Sequence, residues 1–298
     1  MSLSDWTRVV ALSILFGASF FLTEIALTGF SPWLIVLTRL VLAALALLAV
    51  CRATGRALPR DRRIWAGLAV MGVLNNALPF CLIAGGQVFI TGAMTSVLIA
   101  TTPIFTVLLA HVLTRDERLS WHKLFGVLLG VVGVAILLGP EFGNGPGTEL
   151  IGQVAILGAA LSYALAAIFG RRFHGMDPVV ASAGMVVCSS VLMMPVVAVF
   201  EVEWTDRATY LSVMAIVTMA VLSTAVAYLL YFKILASAGA TNLMLVTLLV
   251  PVSATALGVV FIGEPVTAAM AAGAVLIFAG LAAIDGRVLS VLKQRSRI

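Results

Sequence analysis

The chain has 298 residues, of which 62% are hydrophobic and 10% charged, and its mean hydropathy is +1.15. A soluble domain carries about 25% charged residues, so a water-soluble fold of this length is excluded: its apolar side chains need lipid as their solvent. The net charge of +5 would point to nucleic acid in a soluble protein, but its placement along this chain gives it another meaning and speaks against a nucleic-acid partner.

Ten apolar segments follow one another, at about 7–28, 32–51, 64–85, 91–113, 121–139, 150–170, 178–200, 208–232, 241–262 and 265–285. Each approaches the ~20 apolar residues that cross a bilayer as a helix. The first is too long for a signal-peptide core and lacks a convincing cleavage site, so it reads as a membrane span. Ser31-Pro32 and Asp177-Pro178 place a capping side chain before a proline at a helix start, and Ser120 and Thr148 fit the same logic. Trp6, Trp33, Trp65, Trp121 and Trp204 all fall at predicted helix ends, where an amphipathic indole meets the headgroups. Cys51, Cys81 and Cys188 read as small buried hydrophobes, with no metal-site spacing.

The ten spans sort the basic residues. Sixteen Lys and Arg, including the run Arg52, Arg56, Arg60, Arg62 and Arg63, fall on one side, and only Arg207 falls on the other. The remaining one, Arg39, lies inside a span. This asymmetry predicts a multi-pass protein of a bacterial inner (plasma) membrane with both termini cytoplasmic. The charge is a topology signal, and the partners it implies are the lipid bilayer and a small-molecule substrate.

The external connection 140–149, PEFGNGPGTE, divides the chain near its middle. On either side a pattern recurs: Glu117, Gly126 and Gly133 have the spacing of Glu264, Gly273 and Gly280, and Gly92 precedes Glu117 by the same 25 residues as Gly239 precedes Glu264. Pro103 and Pro251 occupy corresponding helices, one residue out of step, and Pro32 and Pro178 each open a second helix. The period of about 147 residues predicts a five-helix unit at 1–139, a linker at 140–149, a second unit at 150–285 and a basic cytoplasmic tail at 286–298. Five is odd, so the second unit enters the membrane inverted. The expected fold is an all-α membrane protein of ten transmembrane helices, two inverted five-helix repeats around a central cavity that opens to each side in turn.

These residues carry a resemblance. Phe16-Gly17-Ala18-Ser19-Phe20, Pro32 with Arg39, Pro103, and Glu117-Arg118-Leu119-Ser120 leading to Gly126 and Gly133 are similar to the drug/metabolite transporter superfamily, in its EamA-like branch of ten-helix permeases. So is Gly263-Glu264-Pro265-Val266-Thr267 leading to Gly273 and Gly280. The chain most resembles the amino-acid exporters, including the YddG-type exporters of aromatic amino acids. The resemblance implies that the first four helices of each half line a central basket, with the fifth and tenth packed behind.

Charge inside a membrane is costly and therefore informative. Arg39 reads either as a contact for a substrate carboxylate or as a structural ion-pair partner or snorkelling side chain, and Glu24 lies near enough on the first helix to approach it. Glu24 is also the candidate coupling group for proton antiport, although shallow. Asn75-Asn76 followed by Pro79 predicts a bend that frees backbone carbonyls, so the two amides either bind substrate or join helices. Pro103 and Pro251, with Thr101-Thr102 and Thr247 nearby, invite the same reading, and Pro79, Pro103 and Pro251 are candidate hinges. Tyr163, Tyr228 and Tyr231, with Phe16, Phe20 and Phe80, are either packed aromatics or a lining for an aromatic or large apolar ligand. Thr101 completes the candidate substrate set.

The Gly126–Gly130 pattern and the small residues of the tenth helix allow close helix approach, within one chain or between two, and a monomer is preferred to a homodimer. An intramembrane enzyme is disfavoured: no aspartate lies in a span centre, and His111, His122 and His174 lie near one surface without an HExxH pattern. A channel filter would need a re-entrant segment. No cofactor is implied. The expected function is a secondary transporter exporting small metabolites, aromatic or large apolar amino acids foremost, with drugs or nucleosides as the alternative cargo.

Overall fold

A computed structural model describes residues 2–114, 121–138, 149–200, 208–257 and 268–285, and over these residues the fold is all-α without strands. The helices are α1 (Leu3–Leu27), α2 (Pro32–Ala53), α3 (Arg62–Gly86), and α4, split into Gly92–Ile99 and Thr102–Leu113. They continue with α5 (Trp121–Leu138), α6 (Glu149–Gly170), α7 (Pro178–Phe200), α8 (Tyr210–Ala240), α9 (Val246–Leu257) and α10 (Ala268–Asp285). Seven helices among the described residues are long and apolar enough to cross a membrane, and three apolar stretches are shorter: Leu124–Ile136, Asn242–Ala254 and Ala271–Gly280. At 25 residues, α1 reaches roughly 37 Å, more than the ~30 Å hydrocarbon core. Exposed Leu, Val, Ile and Phe side chains along these helices form the surface a lipid solvent requires.

Local chemistry sets the helix ends. The Ser31 hydroxyl accepts from the Leu34 N–H at 3.2 Å, with Pro32 at the first helical position. Asp177 accepts from the Val179 N–H at 2.8 Å before α7. Asp61 caps α3 through the Arg63 N–H at 2.8 Å, which draws Arg62 and Arg63 into the helix ahead of the expected start at 64. The eighth segment also differs from expectation. Its helix runs past 232 to a kink at Gly239, where φ is 82°, so Lys233 lies on the helix and not in a connecting loop. Only glycine adopts that left-handed backbone without strain. Ser120, Thr148, Glu117, Arg118, Arg207, Glu264, residues 140–148 of the connection and the basic tail lie outside the described residues.

Packing between the halves is reciprocal. The α5 and α10 helices lie against each other. A Cβ placed on Gly280 would sit 2.5 Å from the Gly126 carbonyl oxygen, and one on Gly133 would sit 2.8 Å from the Gly273 carbonyl oxygen. The partners of one contact are the repeat equivalents of the other, and their order is antiparallel, as a two-fold relation between the helices generates. Gly126, Gly133, Gly273 and Gly280 are thus occupied within one chain. Helix pairs follow the same exchange: α1 packs on α9 as α6 packs on α4, α3 on α7 as α8 on α2, and α3 on α6 as α8 on α1.

Candidate functional site

The α3 helix is interrupted at its middle by a π-helical turn, Val73–Ala77, immediately before Leu78-Pro79. Pro79 has no N–H, so the Asn75 carbonyl loses its helical donor. It is taken up by the Tyr228 hydroxyl of α8 at 3.2 Å, while the neighbouring Leu74 carbonyl accepts from the Ser162 hydroxyl of α6 at 2.7 Å. The carbonyl freed by Pro79 is thus satisfied by Tyr228, and its neighbour by Ser162.

A second π-helical turn, Val221–Val226, interrupts α8. It has no proline, and its Ser223 carbonyl points to α2, where Arg39 is buried with 8% of its surface exposed. Arg39 donates from Nε to Thr224 Oγ1 at 2.7 Å and from Nη2 to the Ser223 carbonyl at 3.2 Å. Its guanidinium carbon stands 4.1 Å from the Phe80 ring centre, a cation–π contact. No carboxylate among the described residues forms an ion pair with it. The expected approach of Glu24 does not occur: Glu24 instead accepts the Gly92 N–H at the start of α4. Consecutive helices α1 and α2 touch little, because α8 packs against both.

Between the two turns lies a cavity of about 70 Å³. Phe16, Phe20, Phe80, Tyr163, Tyr228, Tyr231, Asn75 and Arg39 all line it. Tyr228 and Tyr231 meet edge to face with ring centres 5.9 Å apart, and the buried Tyr231 hydroxyl has no hydrogen-bond partner among the described residues. Asn76 stands behind the cavity: its amide nitrogen donates to Ser189 Oγ of α7 at 2.7 Å, and its carbonyl oxygen accepts from Tyr228. Of the two readings for this amide, it performs the helix-joining one.

Thr101 is not among the lining residues. It lies at the break in α4, where Pro103 removes the donor for the Ile99 carbonyl. The Thr102 hydroxyl replaces that donor, and the Thr101 hydroxyl caps the Leu98 carbonyl at 2.6 Å. Its oxygen is spent on sealing the break. Pro251 lies inside α9, with Thr247 and Val250 lining the cavity from that helix.

Sequence reasoning missed the second π-turn, together with Ser19, Thr23, Ile35, Val36, Ile83 and Met244 in the lining. One signal could have found the turn. A shift of 148 residues, close to the repeat period, carries Asn75-Asn76 onto Ser223-Thr224. Neutral aliphatic lining residues carry no comparable mark, since each looks like any other residue of its span.

A helical membrane fold closed around a buried, cationic and aromatic cavity defines a multi-pass membrane protein with an internal polar site. The chain belongs to the EamA-like transporter family, which it matches twice, over residues 8–139 and 150–284. It is 24% identical to the "Uncharacterized transporter YoaV" of Bacillus subtilis (strain 168), over 92% of this chain and 94% of that protein. It is 26% identical to the "Probable amino-acid metabolite efflux pump" of Salmonella typhimurium, over 94% of each chain. A solved crystal structure shares the fold with a TM-score of 0.74 at 20% identity, covering 93% of this chain and 95% of that one. The protein is therefore a membrane transporter of this family.

Proposed function

We propose that this transporter exports small metabolites bearing a carboxylate and an aromatic or large apolar side chain, amino acids foremost, by alternating access. The observation that carries the proposal is Arg39: a buried cation with no carboxylate partner among the described residues, facing a cavity walled by aromatic rings. An isolated charge in such a place is costly, and a substrate carboxylate is the missing partner. The guanidinium is already fixed by Thr224, Ser223 and Phe80, so little entropy is lost when it receives one. The unpartnered Tyr231 hydroxyl supplies a second polar contact, and the rings supply apolar surface. Two relatives named "Probable amino-acid metabolite efflux pump", at 26% identity, favour a cargo of this class.

The cavity volume of about 70 Å³ is below the several hundred typical of small-molecule sites, so loading requires the helices to part. The breaks at Pro79, Pro103 and Gly239, with Pro251 in α9, are the positions where they bend. Reciprocal packing of the halves supports two inverted five-helix units that exchange conformations, and the one-sided distribution of Lys and Arg favours both termini on the cytoplasmic face of a bacterial inner membrane. Glu24, which accepts the Gly92 N–H at the start of α4, is the candidate coupling group.

Counterflow into proteoliposomes preloaded with amino acids, nucleosides or cationic drugs tests the cargo. Saturable exchange of aromatic or large apolar amino acids is expected. Exchange of nucleosides or cationic drugs with no amino-acid flux would reject it. Glu24→Gln should remove the response of flux to an imposed pH gradient while leaving exchange at equal pH, and an unaltered response would remove Glu24 from coupling.

A further inference from the structure

A second site lies away from the central cavity, where the start of α3 meets the end of α6. A groove of about 640 Å³ opens there, and its lining changes character along its length. Arg63, Arg172 and His174 stand at one end, and Ile64, Val70 and Phe169 continue the wall. From Arg63, Val70 lies seven residues into α3, roughly 10 Å along the axis. The groove therefore runs from the level of the charged loops into the depth of the hydrocarbon.

The charges at its mouth are unspent. Asp177, the nearby acid, is engaged by Arg56 at 2.9 Å. Asp61 turns its carboxylate to the Arg63 backbone N–H, where it caps the helix. Neither Arg63 nor Arg172 forms an ion pair with a carboxylate among the described residues. Arg172 is held in place with its guanidinium carbon 3.5 Å from the Phe169 ring centre. The groove thus presents two positive charges, one of them pre-positioned on an aromatic face, at the head of an apolar trough.

We infer that this groove binds an anionic phospholipid, with the phosphate between Arg63 and Arg172 and an acyl chain along Val70 and Phe169. The chemistry selects a lipid over a free phosphate, because a soluble anion has no use for the apolar wall. It selects an anionic lipid over a zwitterionic one, because the described residues that line the groove include two arginines and no carboxylate. Basic pockets between transmembrane helices, at the headgroup level, recognise lipids in this way. The groove joins α3 and α6, one helix from each half, so an occupant bridges the two halves. The inference rests on the membrane fold and is independent of which substrate the central cavity takes.

The test is a thermal-unfolding titration of the purified full chain in neutral detergent, read beside lipid retention in native mass spectrometry. Phosphatidylglycerol should raise the Tm and remain bound, and phosphatidylcholine should do neither. The double variant Arg63→Gln/Arg172→Gln should weaken the phosphatidylglycerol effect about ten-fold or more, since each basic group near the surface contributes several-fold to such binding. Arg63→Lys/Arg172→Lys, which keeps the charge, should retain part of the effect and reports on folding of the altered groove. Arg60→Gln, outside the groove, should behave as the parent. Equal responses to the two lipids, an undiminished response in the double Gln variant, or replacement of the lipid effect by inorganic phosphate would each overturn the proposal.

Discussion

The turns at Val73–Ala77 and Val221–Val226 are the same backbone device used in two ways. Each interrupts a long helix at repeat-equivalent positions and frees carbonyls inside a membrane, where an unsatisfied polar group is expensive. In α3 the freed groups meet neutral partners: Tyr228, Ser162 and, through Asn76, Ser189. In α8 the partner is Arg39, a full positive charge. The first turn ends as a closed, neutral junction. The second leaves a cation at the cavity wall. Two equivalent breaks have thus diverged into one that joins helices and one that holds a cation at the cavity wall.

Substitutions can break this contrast, and the largest effect is expected at Arg39. Arg39→Gln should lower kcat/KM for carboxylate substrates about 30-fold or more in counterflow, on the order of 2 kcal/mol or above for a lost buried charge contact. Arg39→Lys should recover only part, because an ammonium lacks the planar fork held between Thr224 and Ser223. A smaller and split effect is expected from the partners of the two turns. Thr224→Val leaves Arg39 Nε without its acceptor, so transport and stability should both fall. Asn76→Ala should cost about 1–2 kcal/mol in unfolding free energy with transport largely kept, because Tyr228 and Ser189 each retain another acceptor. Equal transport losses in the two variants would erase the distinction between junction and contact. The smallest effect is expected from Pro79→Ala, which restores an N–H near the Asn75 carbonyl and competes with Tyr228. A stability change below about 1 kcal/mol is predicted, with a slower exchange rate as the measurable sign.

Much of the frame was legible because it is written in strong signals. The order of the apolar segments, the caps at Ser31 and Asp177, and the glycine spacing of the fifth and tenth helices all survive in the structure. The site was legible where a residue is unusual for a membrane span: Arg39, Asn75, Pro79 and the tyrosines. It was illegible where a polar residue has two outlets within reach. Thr101 turned back to its own helix, Asn76 turned to α7, and Glu24 found a backbone N–H in place of Arg39. Side-chain choice among such partners depends on packing several helices away in sequence. The second π-turn had no proline to announce it, and only the repeat period points to it.

Alternating access requires the cavity between the two turns to open to each side of the membrane in turn. Ser19→Cys, placed in a background lacking Cys51, Cys81 and Cys188, puts one thiol on the cavity wall. Membrane-impermeant thiol reagents applied from either side report its accessibility. Labelling from both sides is expected, with substrate supplied on one side shifting the two rates in opposite directions. Labelling from one side alone under every substrate gradient, or rates from both sides that rise and fall together, would contradict it.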